Sequence, residues 1–155
     1  VTYKVEVEYL EHDGGTKFYE TVLIKEHSGP GILIKRYGAI DKKIGGGQTI
    51  IERGSHSVVD AAANKILTEK RKRSSKGQYL NVAQLNFGLH TVHNVFNVGA
   101  DELAKRIADH YNRADSDAIQ SYFGIGASGA GVVKEEPAAA EPEEPIIRDA
   151  HWGSW

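Results

Sequence analysis

Cysteine is absent from the 155 residues, so neither a disulfide framework nor a cysteine-ligated zinc site can form, and the redox compartment is left open. No apolar run approaches the roughly 20 residues that a membrane span needs. The chain opens on TYKVEVEYL, which has the pattern of a strand rather than of a signal sequence. It begins at Val1 without methionine, as expected if an initiator has been removed or a leader cut away. No serine stands in a nucleophile elbow, and no pair of carboxylates has the apolar flanks that would raise one pKa. Gly45, Gly46 and Gly47 lack the Gly-Lys-Ser/Thr step into a helix that a phosphate loop requires, and they lead into a strand instead. An enzyme is not indicated, and no cofactor is called for.

What is present is an ordinary globular composition, 40% hydrophobic and 26% charged, in a chain long enough for one domain with a core and an appendage. The net charge of −2 conceals a split: Val1 to Lys134 carries +3, while Glu135 onward carries −5. A mildly basic body with an acidic tail recurs in proteins that meet polyanions, because the tail can compete for the same basic face; it also serves as a solubilising device.

The first half alternates with period two. Tyr3, Val5, Val7 and Tyr9 share one side of YKVEVEYLE, and an Asp-Gly turn then leads into KFYETVLIKE, which predicts an antiparallel hairpin. ILIKRY and QTIIER supply two further strands, separated by the loop AIDKKIGGG. After Gly54 the period lengthens. Ser57 is the expected cap of a helix with Val58, Val59, Ala62, Ala63, Ile66 and Leu67 on one face, running through the basic EKRKR and stopping near Gly77. Residues 80–99 read as strand or extended structure, with a hairpin turning at Gly88. A helix is predicted from Asp101 to Asn112 on Leu103, Ala104, Ile107, Ala108 and Tyr111, and a shorter one around Asp117 to Phe123. GIGASGAGVV then reads as a linker and KEEPAAAEPEEP as an acidic spacer, before IIRDAHWGSW returns two isoleucines and two tryptophans.

Several of these segments, in this order, resemble the WGR domain of DNA-damage-dependent poly(ADP-ribose) polymerases and of bacterial proteins. Lys17, Phe18 and Tyr19 match the family's opening, Arg36 to Ala39 its signature, Gly47 and Gln48 the step into the next strand, and Lys76, Gly77 and Tyr79 the close. The resemblance covers residues 3–79. It implies a non-enzymatic module that grips nucleic acid through phosphates and one aromatic ring. Tyr37 stands where the family places tryptophan, and Ala39 where it places arginine, which puts in doubt the communication with neighbouring domains that this arginine is associated with.

The expected fold class is therefore α+β: a small antiparallel sheet packed by one amphipathic helix, then a smaller mixed extension and an acidic tail. The expected divisions are 1–79, WGR-like; 80–124, extension; 125–145, linker; and 146–155, docking peptide. The candidate nucleic-acid residues are Lys17, Lys35, Arg36, Tyr37, Lys42, Lys43, Gln48, Lys70, Arg71, Arg73 and Lys76, and those for partner docking are Ile146, Ile147, Trp152 and Trp155. DNA is the expected partner of the body. The tail is expected to meet a protein, a second copy or a larger assembly, and a second reading makes the chain a structural subunit of an assembly such as a phage particle. His90 and His93, three apart in a strand-like setting, are not expected to share a metal, and His12, His27, His56, His110 and His151 read as surface side chains.

Overall fold

The alternating first half becomes a four-strand meander in the computed structural model, which describes residues 2–82, 85–91 and 93–125. Its strands are β1 (Thr2–His12), β2 (Lys17–Glu26), β3 (Gly31–Ala39) and β4 (Gln48–Gly54), followed by helix α1 (His56–Arg71). Two short strands, β5 (Tyr79–Asn81) and β6 (Val95–Gly99), and two helices, α2 (Ala100–His110) and α3 (Arg113–Phe123), complete the order. The fold is α+β, as the sequence predicts. The linker and docking peptide expected over 126–155 lie outside the described residues.

All strand pairs are antiparallel, in the order β4-β3-β2-β1-β5, and β6 also pairs with β1. β6 takes the outer edge of β1 from Thr2 to Glu6, and β5 takes it from Leu10 to His12. The hairpin expected at Gly88 is thus replaced by two strands that both pair with β1. Between them Gly88 adopts φ 55° directly beneath α2, where an added Cβ would collide with His110 Nδ1.

Helices cover both faces. On one side α1 lays Val59, Ala63, Ile66 and Leu67 over Leu23, Leu33, Tyr19, Tyr37 and Ile50. On the other, Leu103, Ile107, Tyr111 and Ile119 of the α2–α3 layer share one core with Val5, Val7, Val22, Ile24, Ile32 and Ile34. The segment over 80–124 is therefore built into the same core as the meander. Double coverage also explains why β2 is buried from Lys17 to Lys25, polar residues included.

Local chemistry sets the helix ends. Ser55, not Ser57, caps α1 by accepting from the Val58 amide at 3.3 Å. The helix thus starts two residues earlier than expected and leaves Val58 57% exposed. It ends at Arg71 rather than near Gly77, and residues 74–77 form a separate turn closed by the Ser74–Gly77 bridge. Asn112 caps α3, accepting from the Asp115 amide at 2.8 Å, and Gly124 ends it at φ 70°.

The loop between β3 and β4 returns tightly. Gly47 has φ 85°, and a Cβ there would meet the Tyr37 carbonyl oxygen at 2.7 Å and the Phe18 ring at 2.9 Å. Gly47→Ala is expected to destabilise the fold by about 2 kcal/mol or more. Urea denaturation measures this, and an unchanged midpoint would show that the return is not constrained.

Candidate functional site

The polar centre of the molecule is a carboxylate that the strand register places under α2. Tyr9, Glu20 and Arg36 are successive cross-strand partners on the α2 side of the sheet, and Glu20 is fully buried with Arg36 1% exposed. A buried charge is tolerated only when it is paired and its hydrogen-bonding capacity is met. Arg36 donates from Nε to Oε1 at 2.9 Å and from Nη2 to Oε2 at 3.0 Å, and its Nη1 donates to the Gly46 carbonyl at 2.9 Å.

Two histidines complete the shell of Glu20. His90 Nε2 lies 2.7 Å from Oε2, and His110 Nε2 lies 3.0 and 3.2 Å from the two oxygens. On their far sides, His90 Nδ1 accepts from the Leu85 amide at 3.2 Å and His110 Nδ1 from the Leu89 amide at 3.0 Å. Amide donors at both Nδ1 atoms assign the proton to Nε2, so both rings are neutral and both donate to Glu20. Phe87 stacks on His110 at 4.6 Å and lies 5.8 Å from the Arg36 guanidinium, which sits 4.9 Å from the Phe18 ring on its other flank.

Burial opposes ionisation of Glu20, but His110, the Arg36 charge and the two imidazole hydrogen bonds hold its carboxyl well below the usual range. Burial also lowers His110, against the pull of Glu20. Burial, with Glu20 adding to it, raises the Tyr111 phenol, whose buried hydroxyl has no hydrogen-bond partner among the described residues.

Glu20, His90 and His110 bring their ligand atoms within 4.8 Å of one another. This set does not fit a metal ion as arranged, because both Nε2 atoms carry hydrogen and a guanidinium occupies both carboxylate oxygens. The cluster instead ties the 85–91 loop and α2 to the sheet. His90 and His110, expected at the surface or in a strand, are corrected to 3% and 0% exposed.

The candidate nucleic-acid residues fall into two groups. Arg36 and Tyr37 are not displayed at a sheet edge: Arg36 is locked on Glu20, and Tyr37, 4% exposed, lies parallel to Tyr19 at 5.5 Å with its hydroxyl 3.4 Å from Gln48 Oε1. Lys35 is buried on Glu52 at 2.8 Å, and Arg71 is held by Glu8 and Asn81. The remaining candidates gather where the β1–β2 turn, the β3–β4 loop and the end of α1 meet. Lys70 lies 5.0 Å over the Tyr19 ring and 5.9 Å from that of Tyr79. Burial, then the neighbouring Lys76, lowers the Lys17 amine, so two cations are held side by side there. Lys72, Arg73 and Lys76 are exposed on the same side, with no ion pair among the described residues. Lys42 is exposed on the adjoining loop, Lys43 reaches Glu11 at 3.6 Å, and Gln48 starts the edge strand β4. Ile146, Ile147, Trp152 and Trp155 lie outside the described residues. No family model, curated protein or solved structure matches this chain.

Two outcomes follow for the buried cluster. Glu20→Gln leaves the Arg36 charge buried without its counter-charge and is expected to cost about 3–5 kcal/mol in urea denaturation. The pH dependence has a definite sign: His110 sits below its ordinary 6.5 in the fold, so the unfolded chain takes up that proton first. Stability should be full above 6.5 and fall as the pH drops beneath it, with a second loss below 4.5 from the depressed Glu20 carboxyl. A melting temperature that stays level through both windows would contradict a neutral, buried His110.

Proposed function

We propose that the chain is a non-enzymatic, WGR-like nucleic-acid-binding module that grips the phosphate backbone with the cationic end of its α1 face, inside a cell or a virion. The observation that carries this reading is the gathering of Lys17, Lys70, Lys72, Arg73 and Lys76 at one end of the sheet, where burial and then the Lys76 charge lower the Lys17 amine. A concentration of cations on one surface attracts a polyanion, and a phosphate backbone supplies anions at regular spacing. On the α2–α3 face Lys105 pairs with Asp109, Arg106 with Glu102 and Arg113 with Asp117.

In this reading Arg36 and Tyr37 are framework. Arg36 holds the β3–β4 return through Gly46, and the Tyr19–Tyr37 pair forms the floor under Lys70. Recognition through phosphates alone is indifferent to sequence and strongly dependent on salt.

The test is fluorescence anisotropy with labelled single-stranded and duplex DNA across a salt series. Lys72→Ala/Arg73→Ala/Lys76→Ala should weaken binding to all sequences alike and reduce the salt slope by roughly 2 to 3. The control Lys105→Ala/Arg113→Ala, on the α2–α3 face, should leave both unchanged. No binding by the parent chain at low salt would remove the reading and return the chain to the docking role in a larger assembly. The outer edge of β4, which no strand among the described residues pairs, would then be the surface to examine first.

A further inference from the structure

We propose that the polar cleft at the start of β1, on the α1 side of the sheet, is a site for a small phosphate-bearing ligand, either free phosphate or a phosphomonoester. The site rests on nothing in the nucleic-acid role and lies apart from the cationic end. Lys4 is seven residue steps along β1 from Glu11, which pairs with Phe18 at that end, or about 24 Å at ~3.4 Å per residue.

The sheet builds the floor of the cleft. Lys4 is the cross-strand partner of Lys25 on β2 and of Asn97 on β6, so the three side chains form a row on one face, with Thr2 on the same face two residues back. That face is the α1 side, because Lys25 Nζ donates to Asp60 Oδ1 of α1 at 2.8 Å. His27 donates its amide to the Thr2 carbonyl at 3.0 Å, and His56, the first residue of α1, donates from Nε2 to the Glu26 carbonyl at 2.9 Å. Thr2, Lys4, Lys25, His27, His56 and Asn97 thereby line a cleft of about 280 Å³. Sites for drug-sized ligands begin at roughly 300 Å³, so the occupant is small.

No carboxylate lines this cleft, and its donors are incompletely used. Like charges directly opposite on a sheet oppose each other, and Glu6 offsets this from beside the row, with Oε2 2.8 Å from Lys25 Nζ and 3.8 Å from Lys4 Nζ. Lys25, 8% exposed, gives one hydrogen to Glu6 and one to Asp60, and its third has no partner among the described residues. Lys4 stands farther from Glu6 than a hydrogen bond, and the Thr2 hydroxyl, the His27 ring and the Asn97 amide have no hydrogen-bond partner among the described residues. The charges of Lys4, Lys25, Glu6 and Asp60 cancel, so a ligand is selected by its count of acceptors rather than by net charge. A phosphate group presents three strong acceptor oxygens and can meet Lys4, Lys25 and Asn97 together, whereas a carboxylate presents only two. His56 also brings the positive end of the α1 dipole to the cleft, which favours an anion there.

The test follows the backbone amides of the full chain by NMR during titration with inorganic phosphate, glycerol 3-phosphate and acetate at matched ionic strength. Saturable shifts at the lining residues are expected with both phosphates, and acetate should bind them about tenfold or more weakly. Tighter binding of glycerol 3-phosphate than of inorganic phosphate would assign the site to a phosphomonoester, and the reverse order to free phosphate. Lys4 and Asn97 are exposed, so Lys4→Ala/Asn97→Ala keeps the core and should weaken phosphate about tenfold or more. Shifts that never saturate, that acetate reproduces at equal affinity, or that gather at Lys72 and Lys76 instead would overturn the inference, as would unchanged affinity in the variant. A chain that binds DNA but no phosphate here loses this site alone, and one that binds phosphate here but no DNA loses only the proposed function.

Discussion

Everything on the α2 side of this protein depends on one buried carboxylate. Glu20 can remain ionised with no exposure only because Arg36 sits across it and two neutral imidazoles donate to it. Each donor then fixes a further piece of structure. Arg36 reaches Gly46 and shapes the return from β3 to β4, while His90 and His110 receive amides of the 85–91 loop. The loop, the last turn of α2 and three strands thus share a single electrostatic constraint. An ion pair of this kind is weak evidence for stability, but breaking it is costly, so it specifies an arrangement more than it strengthens one.

The four meander strands, α1 and α2 were readable in the sequence because each carries its period within a short window. The polar centre was not. Lys17, Glu20, Thr21 and Lys25 of KFYETVLIKE look like a solvated mixture, and that impression holds only for a sheet with one open face. Here α2 and α3 cover the second face, so polar side chains of β2 enter the interior on both sides. His110 ends a helix, where an imidazole at the surface would also be comfortable, and its partner lies 90 residues earlier in the chain. Gly88, which reads as a hairpin turn, is instead needed for close approach to α2. No local pattern reports contacts of that range.

The two faces divide the work. The α2–α3 face neutralises its charges internally, through Glu20 and through pairs along each helix. The α1 face gathers Lys17, Lys70, Lys72, Arg73 and Lys76 at one end. The residues carrying the family resemblance are split by this division: Arg36 and Tyr37 belong to the framework, while Lys17 and Lys76 lie with the basic cluster.

The position of β1 sets the order in which the chain can assemble. Its pairing with β2, and that of β2 with β3, are between neighbours in sequence, whereas its outer edge waits for residues 79–81 and 95–99. Until those arrive, the early meander holds Glu20 and Arg36 on a sheet face open to water, where both remain hydrated. Closure by the later segments removes that water from both at once, and the two histidines needed to replace it arrive with the same segments. The later segments bring the contacts of greatest sequence separation, 70 residues from Glu20 to His90 and 90 from Glu20 to His110, and contacts of that range form slowly.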